Sequence, residues 1–438
     1  MNTTIYALST APGRSGVAII RVSGDYAGGI LVALTGRPTP PARRAVLRTL
    51  RSEDGAALDQ ALVLYFPGPA SFTGEDCVEF HIHGGSAVIE AVLEAVDEAG
   101  GIPAEPGEFT RRAFENGQLD LTEAEGLADL IDAETEGQRQ QALAQLSGSL
   151  RTVYEAWRED LIGAMASIEG EIDFPDEDDV PDALSHRAYQ PLADLITSMT
   201  SHLDDGRRGE RTRSGFTIAL IGAPNAGKSS LLNRLARRDA AIVTDIPGTT
   251  RDIIEVRVVM GGFPVIISDT AGLREAVDAV EAEGVRRALD RAVEADLRIG
   301  VADARSREEL VDLQGRLQDD DLLVLNKLDL APEAQSDGAY GLSAKSGDGV
   351  EVLERRIEEI VQARLSAREA PALSRARHRR AVESAVQALE RCQMNLADAP
   401  ELAGEDARLA VRSLESLTGR VDVEDILDRV FSQFCIGK

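Results

Sequence analysis

The chain has 438 residues, 43% of them hydrophobic, and a formal net charge of −28 from 47 Lys and Arg against 75 Asp and Glu. The length suits about two to four domains, and the apolar share excludes general disorder. The acidic balance argues against a protein that coats nucleic acid non-specifically, since phosphates attract cations, and three cysteines with no C-x-x-C spacing argue against a disulfide framework or a zinc site.

The N-terminal MNTTIYALSTAPGRSG lacks a basic region followed by a long apolar run, and no later run approaches the roughly 20 apolar residues of a membrane helix. The cytoplasm is the expected compartment. Residues 1–117 read as α/β. Val17–Val22, Ala61–Phe66 and Cys77–His83 are strand-like. The run after Gly84-Gly85 carries apolar residues at helical spacing as far as Gly100-Gly101. His81 and His83 share one strand face, as core or rim residues more readily than as a metal pair. Residues 118–213 turn helical. Thr122 with Glu125 has capping-box spacing. Leu146, Leu150, Tyr154, Trp157, Leu161, Met165 and Ile168 form an apolar stripe that reads as core. DFPDEDD, from Asp173 to Asp179, lacks the calcium-loop pattern and reads as a solvated loop. Residues 366–438 are helical again, with Ile426, Leu427, Val430, Phe431 and Phe434 on one face. The two helical segments are expected to form one domain into which residues 214–365 are inserted. Two basic clusters, Arg207/Arg208/Arg211/Arg213 and Arg375/Arg377/His378/Arg379/Arg380, are either local anion patches or ordinary helix faces and linkers.

Residues 214–365 alternate apolar runs with helical stretches, the pattern of a doubly wound sheet. Ile218–Ile221 reads as a buried strand, Gly222–Ser229 fits the P-loop, and SSLLNRLARR reads as the helix that follows. In that frame Asn225, Ala226, Gly227, Lys228, Ser229 and Ser230 surround phosphates: backbone N–H groups wrap them, Lys228 reaches the β- and γ-phosphates, and the Ser229 hydroxyl binds Mg²⁺. Thr244–Asp252 is a loop containing Asp245, Ile246, Pro247, Gly248, Thr249 and Thr250, and a threonine hydroxyl there can complete the Mg²⁺ shell. In Asp269-Thr270-Ala271-Gly272, after the strand Val265–Ile267, the carboxylate holds the metal through water and the Gly272 N–H senses the γ-phosphate. In Asn326-Lys327-Leu328-Asp329, after the strand Leu322–Leu325, Asp329 accepts from the guanine N1–H and 2-amino groups, which adenine lacks. Ser343, Ala344 and Lys345 add contacts to the base. All five stretches in this order point to a GTPase. Leu273 stands where Ras-like GTPases place the glutamine that orients the attacking water. Either hydrolysis is slow or another group acts, with Arg274, Glu275, Asp278, Glu281 and Glu283 as candidates. A monovalent cation held by the Asn225 side-chain oxygen could supply positive charge beside the phosphates.

GAPNAGKSSLLN, TDIPGTTRD, DTAGLRE, NKLD and SAK resemble the GTPase domain of the MnmE (TrmE) tRNA modification GTPases, and so do PGRSGVAIIRVSG, SFTGEDCVEFHIHGG, PGEFTRRAFENGQLDLTEAEGLADLIDA and the terminal CIGK. The resemblance implies an α/β plus all-α fold class: an N-terminal α/β folate-binding and dimerisation domain at 1–117, a central helical domain from 118–213 and 366–438, and an inserted P-loop, Ras-like GTPase domain at 214–365. It implies a K⁺-dependent GTPase acting as a homodimer, joined to an FAD-dependent partner protein in a heterotetramer. Together they install a carboxymethylaminomethyl group at C5 of the wobble uridine (U34) of certain tRNAs. The competing class is a regulatory switch in ribosome assembly. By the same resemblance K⁺ is held by Asn225 and the backbone of Thr244, Ile246 and Thr249, Mg²⁺ by Ser229 and Thr250, and Glu281 positions the attacking water through a second water. Arg21, Glu79, the position of Gln118 and Lys438 are implied to bind a 5,10-methylene- or 5-formyl-tetrahydrofolate derivative. The family commonly has a basic residue where this chain has Gln118. Cys435 matches the near-terminal cysteine proposed as a nucleophile; the other reading is a packing cysteine at a helix end.

Overall fold

The computed structural model describes residues 3–173, 187–238, 255–269, 295–334, 338–366, 371–421, 424–432, 434, 436 and 437. The chain forms two compact units, Met1–Ala128 with Gln145–Glu159 and Val411–Lys438, and Asp129–Ala144 with Asp160–Ala410.

The first unit is built on six strands, β1 (Ile5–Leu8), β2 (Ser15–Ser23), β3 (Val46–Arg51), β4 (Ala57–Phe66), β5 (Cys77–Gly84) and β6 (Ile102–Pro103), in the order β3-β4-β5-β2-β1-β6. The β1–β6 pair is parallel and the others are antiparallel. Alternation of side chains along a strand splits this sheet into two faces. Ala18, Ile20, Val22, Val78, Phe80 and Ile82 turn toward helices α1 (Ala27–Thr35) and α2 (Ser86–Glu98), where Ile30, Leu31, Val92 and Val96 complete a dry core. Arg21 and Glu79, directly opposed in the β2–β5 register, take the other face. Helix α3 (Glu108–Glu115) adds Phe109 to a small cluster with Ile5, Ala7 and Ala104.

Helix α4 (Leu121–Ile131) begins one residue before the expected cap. Asp120, not Thr122, closes the box: Asp120 Oδ1 accepts from Glu123 N at 2.8 Å and Asp120 N donates to Glu123 Oε2 at 2.7 Å. Thr122 and Glu125 are instead fully buried inside the helix. The apolar stripe is sound. Leu150, Tyr154, Trp157, Leu161 and Ile168 of α6 (Ser149–Asp173) are buried, Leu146 and Met165 partly so. On the C-terminal amphipathic face Leu427, Phe431 and Phe434, with Val430 partly buried, meet Leu121, Ala124 and Phe114 as expected, while the Ile426 side chain lies outside the described residues. The loop expected at Asp173–Asp179 lies almost wholly outside the described residues.

The second unit carries β7 (Phe216–Ile221), β8 (Glu255–Met260), β9 (Phe263–Asp269), β10 (Leu297–Asp303), β11 (Leu322–Asn326) and β12 (Tyr340–Gly341) in the order β12-β11-β10-β7-β9-β8, all parallel except the β8–β9 hairpin. Helices cover both faces. On one, α9 (Lys228–Arg238) and α11 (Val350–Leu365) contribute Leu231, Leu235, Leu353 and Ile357 to the core. On the other, Leu313 of α10 (Arg307–Arg316) packs on Ala302 and Leu323. The strand order reverses at β7, so the crevice for a ligand opens at its C-terminal end. Helices α7 (Tyr189–Leu203) and α12 (Ala376–Asn395) also pack together in this unit.

Neither arginine cluster is a free anion patch. Arg213 and Arg375 converge on Asp129 at 2.8 and 2.7 Å, Arg379 pairs with Asp205 and Glu210, Arg211 pairs with Asp296, and His378 is fully buried. Among the described residues no helix is long and apolar enough to cross a membrane.

Candidate nucleotide site

Apolar β7 ends at Ile221, and the chain turns sharply to reach α9, which starts at Lys228. Two glycines permit the turn. Gly222 has φ +149° and Gly227 φ +100°; a Cβ at Gly222 would overlap the Val301 carbonyl, and one at Gly227 would overlap Asn326 Nδ2. Asn225 also lies in the left-handed region, at φ 65°. Lys228 is buried, and its Nζ donates to the carbonyls of Gly222 at 2.7 Å and Ala223 at 2.9 Å. Burial holds its pKa below the ordinary lysine value, opposed by the charges of Asp269 and Glu309. A polyphosphate beside this ammonium would supply the counter-charge that burial removes. Ser229 Oγ donates to Asp269 Oδ2 at 2.5 Å, so β9 and the start of α9 bring two oxygen donors to one point. A hydroxyl beside a carboxylate suits a small hard cation such as Mg²⁺.

Asn326, 2% exposed at the end of β11, joins three segments. Its Nδ2 donates to Ala226 O at 2.8 Å, and its Oδ1 accepts from Ala344 N at 2.9 Å and Lys327 N at 2.8 Å. Lys327 Nζ crosses to Asn225 O at 2.6 Å and Asp303 Oδ2 at 2.8 Å. Arg234 of α9 reaches the carbonyls of Ala344 at 3.3 Å and Lys345 at 2.7 Å. Asp329 is exposed on a single helical turn, Leu328–Leu330, Ser343 is buried, and Ser230 and Lys345 are exposed. The P-loop, the Asn326–Asp329 stretch and the Ser343–Lys345 stretch thus converge on one cleft. Two of the tethers, Arg234 and Asp303, escape sequence reasoning; the sole signal for Asp303 is a carboxylate ending a buried strand.

Thr244, Asp245, Ile246, Pro247, Gly248, Thr249 and Thr250, Thr270, Ala271 and Gly272, and Leu273, Arg274, Glu275, Asp278, Glu281 and Glu283 lie outside the described residues, as do Cys435 and Lys438.

In the first unit, Arg21 and Glu79 meet directly. Glu79 Oε1 accepts from Arg21 Nε at 3.1 Å and Nη2 at 2.9 Å, and Glu79 Oε2 lies 3.1 Å from His81 Nε2. The Arg21 guanidinium lies 5.4 Å from the Phe72 ring centre and 5.9 Å from that of Phe109. Gln118 is exposed; its side-chain Nε2 donates to Asn116 O at 3.5 Å and its side chain lies beside Gly74. His83 Nδ1 lies 2.8 Å from Asp59. Near the chain end, Ile436 pairs with Pro106 and Ser9 Oγ donates to Gly437 O at 3.0 Å.

The family model described as the MnmE helical domain matches residues 121–435, and that described as the GTP-binding protein TrmE N-terminus matches residues 4–118. The "tRNA modification GTPase MnmE" of Maricaulis maris is 77% identical over 438 residues, all of this chain and all of that one. The chain belongs to the MnmE family of tRNA modification GTPases. Proteins of the same description from Parvibaculum lavamentivorans, at 56% identity over 99% of this chain and 100% of theirs, and Caulobacter vibrioides, at 52% over 100% of both, are similar throughout. This MnmE-family chain combines an N-terminal α/β sheet, helical segments and a P-loop sheet. The comparisons are with whole chains, so the likeness extends to both units and is not confined to the nucleotide cleft.

Proposed function

We propose that the chain is a K⁺-dependent GTPase that, with an FAD-dependent partner protein, adds a carboxymethylaminomethyl group to C5 of the wobble uridine (U34) of certain tRNAs. The supporting observation is the Asn326 clip, which ties the phosphate loop at Ala226 to the base-contacting loop at Ala344. One ligand with a polyphosphate and a guanine fits both ends of that arrangement. Lys228 binds the β- and γ-phosphates, and Asp329 accepts from the guanine edge. Ser229 and Thr250 hold Mg²⁺, with Asp269 behind Ser229; Asn225, with the backbone of Thr244, Ile246 and Thr249, holds K⁺. Bound cations offset the negative charge of the phosphates. Glu281 orients the attacking water, a task Leu273 cannot perform.

In the N-terminal domain Arg21, Glu79, Gln118 and Lys438 receive the tetrahydrofolate derivative. A carboxylate such as Glu79 can accept from the amino-pyrimidine edge of a pterin. Cys435 attacks the uridine. The domains are 1–117, 118–213 with 366–438, and 214–365, and the working particle is a cytoplasmic homodimer joined to the partner in a heterotetramer. A stable, soluble 118–213 fragment would count against the insertion.

GTP turnover in matched KCl and NaCl, with Glu281→Ala alongside, tests the hydrolytic half. Activation by K⁺, and loss in the variant with nucleotide binding intact, are expected; equal rates in the two salts refute it. Wobble uridine analysed from cells lacking the protein tests the other half, and unchanged modification refutes that.

A further inference from the structure

Asp303, the last residue of β10, is a carboxylate in the cleft that the proposed chemistry does not use. It is 8% exposed. Its Oδ2 lies 2.8 Å from Lys327 Nζ, and the same ammonium lies 2.6 Å from Asn225 O. Asn225 and Lys327 both have left-handed backbones, at φ 65° and 67°. Such conformations cost energy in residues other than glycine and persist where neighbouring contacts fix them. The Lys327–Asn225 contact joins the two. Asp303 is itself held: Arg305 donates from Nε at 3.0 Å, from Nη2 at 2.7 Å and from its backbone N at 3.0 Å, and Asp303 N donates to Glu309 Oε2 at 3.0 Å. Arg305 first, and then Lys327, keep the Asp303 carboxyl well below the usual carboxylate range, so it is ionised throughout the working pH range.

We propose that Asp303 is a positioning residue for the nucleotide site: it holds the Lys327 ammonium against the Asn225 carbonyl, clamps the P-loop in its left-handed turn, and so sets the lifetime of bound guanine nucleotide. This rests on the reading of the cleft as a guanine nucleotide site, but not on K⁺. The competing account is an ion pair between Asp303 and half-exposed Arg305, with no bearing on the ligand.

The test is release of a fluorescent GDP from the full chain by stopped flow, in KCl and again in NaCl. Asp303→Asn is expected to speed release about tenfold in both salts, the scale of one lost charge-assisted hydrogen bond. Arg305→Ala, which leaves the Arg305 backbone N and Lys327 on the carboxylate, is expected to speed release by clearly less than Asp303→Asn does. Asp303→Asn added to Lys327→Ala is expected to change release no further, since contacts that act through one another are not additive. An unchanged rate in Asp303→Asn overturns the inference, as does an Arg305→Ala rate equal to it or full additivity with Lys327→Ala. If Asp303→Asn does not fold, Asp303→Glu, which keeps the charge but moves it by one methylene, is read the same way. Failure of the unsubstituted chain to retain GDP overturns the site reading and the inference together.

Discussion

Asn326→Ala removes the clip at the centre of the nucleotide cleft. The substitution deletes the bond from Nδ2 to Ala226 O, at 2.8 Å, and the bonds to Oδ1 from Ala344 N, at 2.9 Å, and from the N of half-buried Lys327, at 2.8 Å. Ala226 is 1% exposed and Ala344 6%, so both partners stay buried when the amide is gone. A buried polar group left without its partner costs about 1–3 kcal/mol. Two such groups give about 2–6 kcal/mol, and water entering the space left by the side chain should hold the effect to the lower half. At 1.4 kcal/mol per tenfold, nucleotide affinity should fall by about 30- to 700-fold. Equilibrium titration with fluorescent GDP measures this, with urea unfolding in parallel to separate loss of the site from loss of the fold. Asn326→Asp keeps the acceptor for Ala344 N but replaces the Nδ2 donor with a second oxygen facing the Ala226 carbonyl, so it should be no better than alanine at neutral pH. Affinity for Asn326→Ala within about fivefold of the unsubstituted chain, with stability unchanged, would show that the clip does not organise the cleft.

Desolvation raises the Asp120 carboxyl above its ordinary value, and Asp120 Oδ2 has no hydrogen-bond partner among the described residues. The folded state therefore binds the proton more tightly than the unfolded state, and this group's contribution to stability declines as pH rises from the ordinary aspartate value through the folded one. Asp120→Asn keeps a cap acceptor for Glu123 N, so its Tm should match or exceed that of the unsubstituted chain at pH 7, with the difference shrinking toward pH 4; Asp120→Ala should lose about 1 kcal/mol. Gly137 lies in the first turn of α5 (Glu136–Leu146), donates to Gly262 O at 2.9 Å, and would overlap the Phe263 ring if given a Cβ. Helix propensity alone predicts that Gly137→Ala stabilises by about 1 kcal/mol, whereas overpacking predicts a net loss of about 1–3 kcal/mol; urea unfolding should show the loss, reduced when Phe263→Ala is added. Cys77 and Cys392 are buried, and burial pushes the Cys392 thiol up to about 12. A thiol reagent should therefore modify at most one cysteine per native chain, and mass spectrometry should place it at Cys435; early modification of Cys392 would contradict its burial.

The nucleotide site was legible where the chemistry is local. A P-loop needs glycines at fixed spacing between a strand and a helix, and those residues adjoin one another in the chain. What joins the P-loop to the rest of the site was not legible. Asn326 was readable as part of a guanine-binding stretch, but its bonds to Ala226 and Ala344 span 100 and 18 residues, and nothing at those two positions advertises a partner. The arginine clusters show the same gap. Arg213 and Arg375 both pair with Asp129, which lies 84 and 246 residues away, so the carboxylate that engages them is visible only in the folded chain.

The cap of α4 shows a different difficulty. The run Asp120-Leu121-Thr122-Glu123-Ala124-Glu125 contains two overlapping boxes of identical spacing, one from Asp120 and one from Thr122. Local propensity cannot choose between them, since aspartate and threonine are both good caps. Packing chooses. Starting the helix at Leu121 buries Leu121 and Ala124 against Leu427 and Phe431. Starting it two residues later would free Leu121 and Thr122 from the first turn, and both are fully buried in it. The apolar contact made by a helix from the far end of the sequence thus selects the cap. Asp120 consequently carries a partly desolvated charge, and the pH dependence predicted for Asp120→Asn measures the cost of that selection.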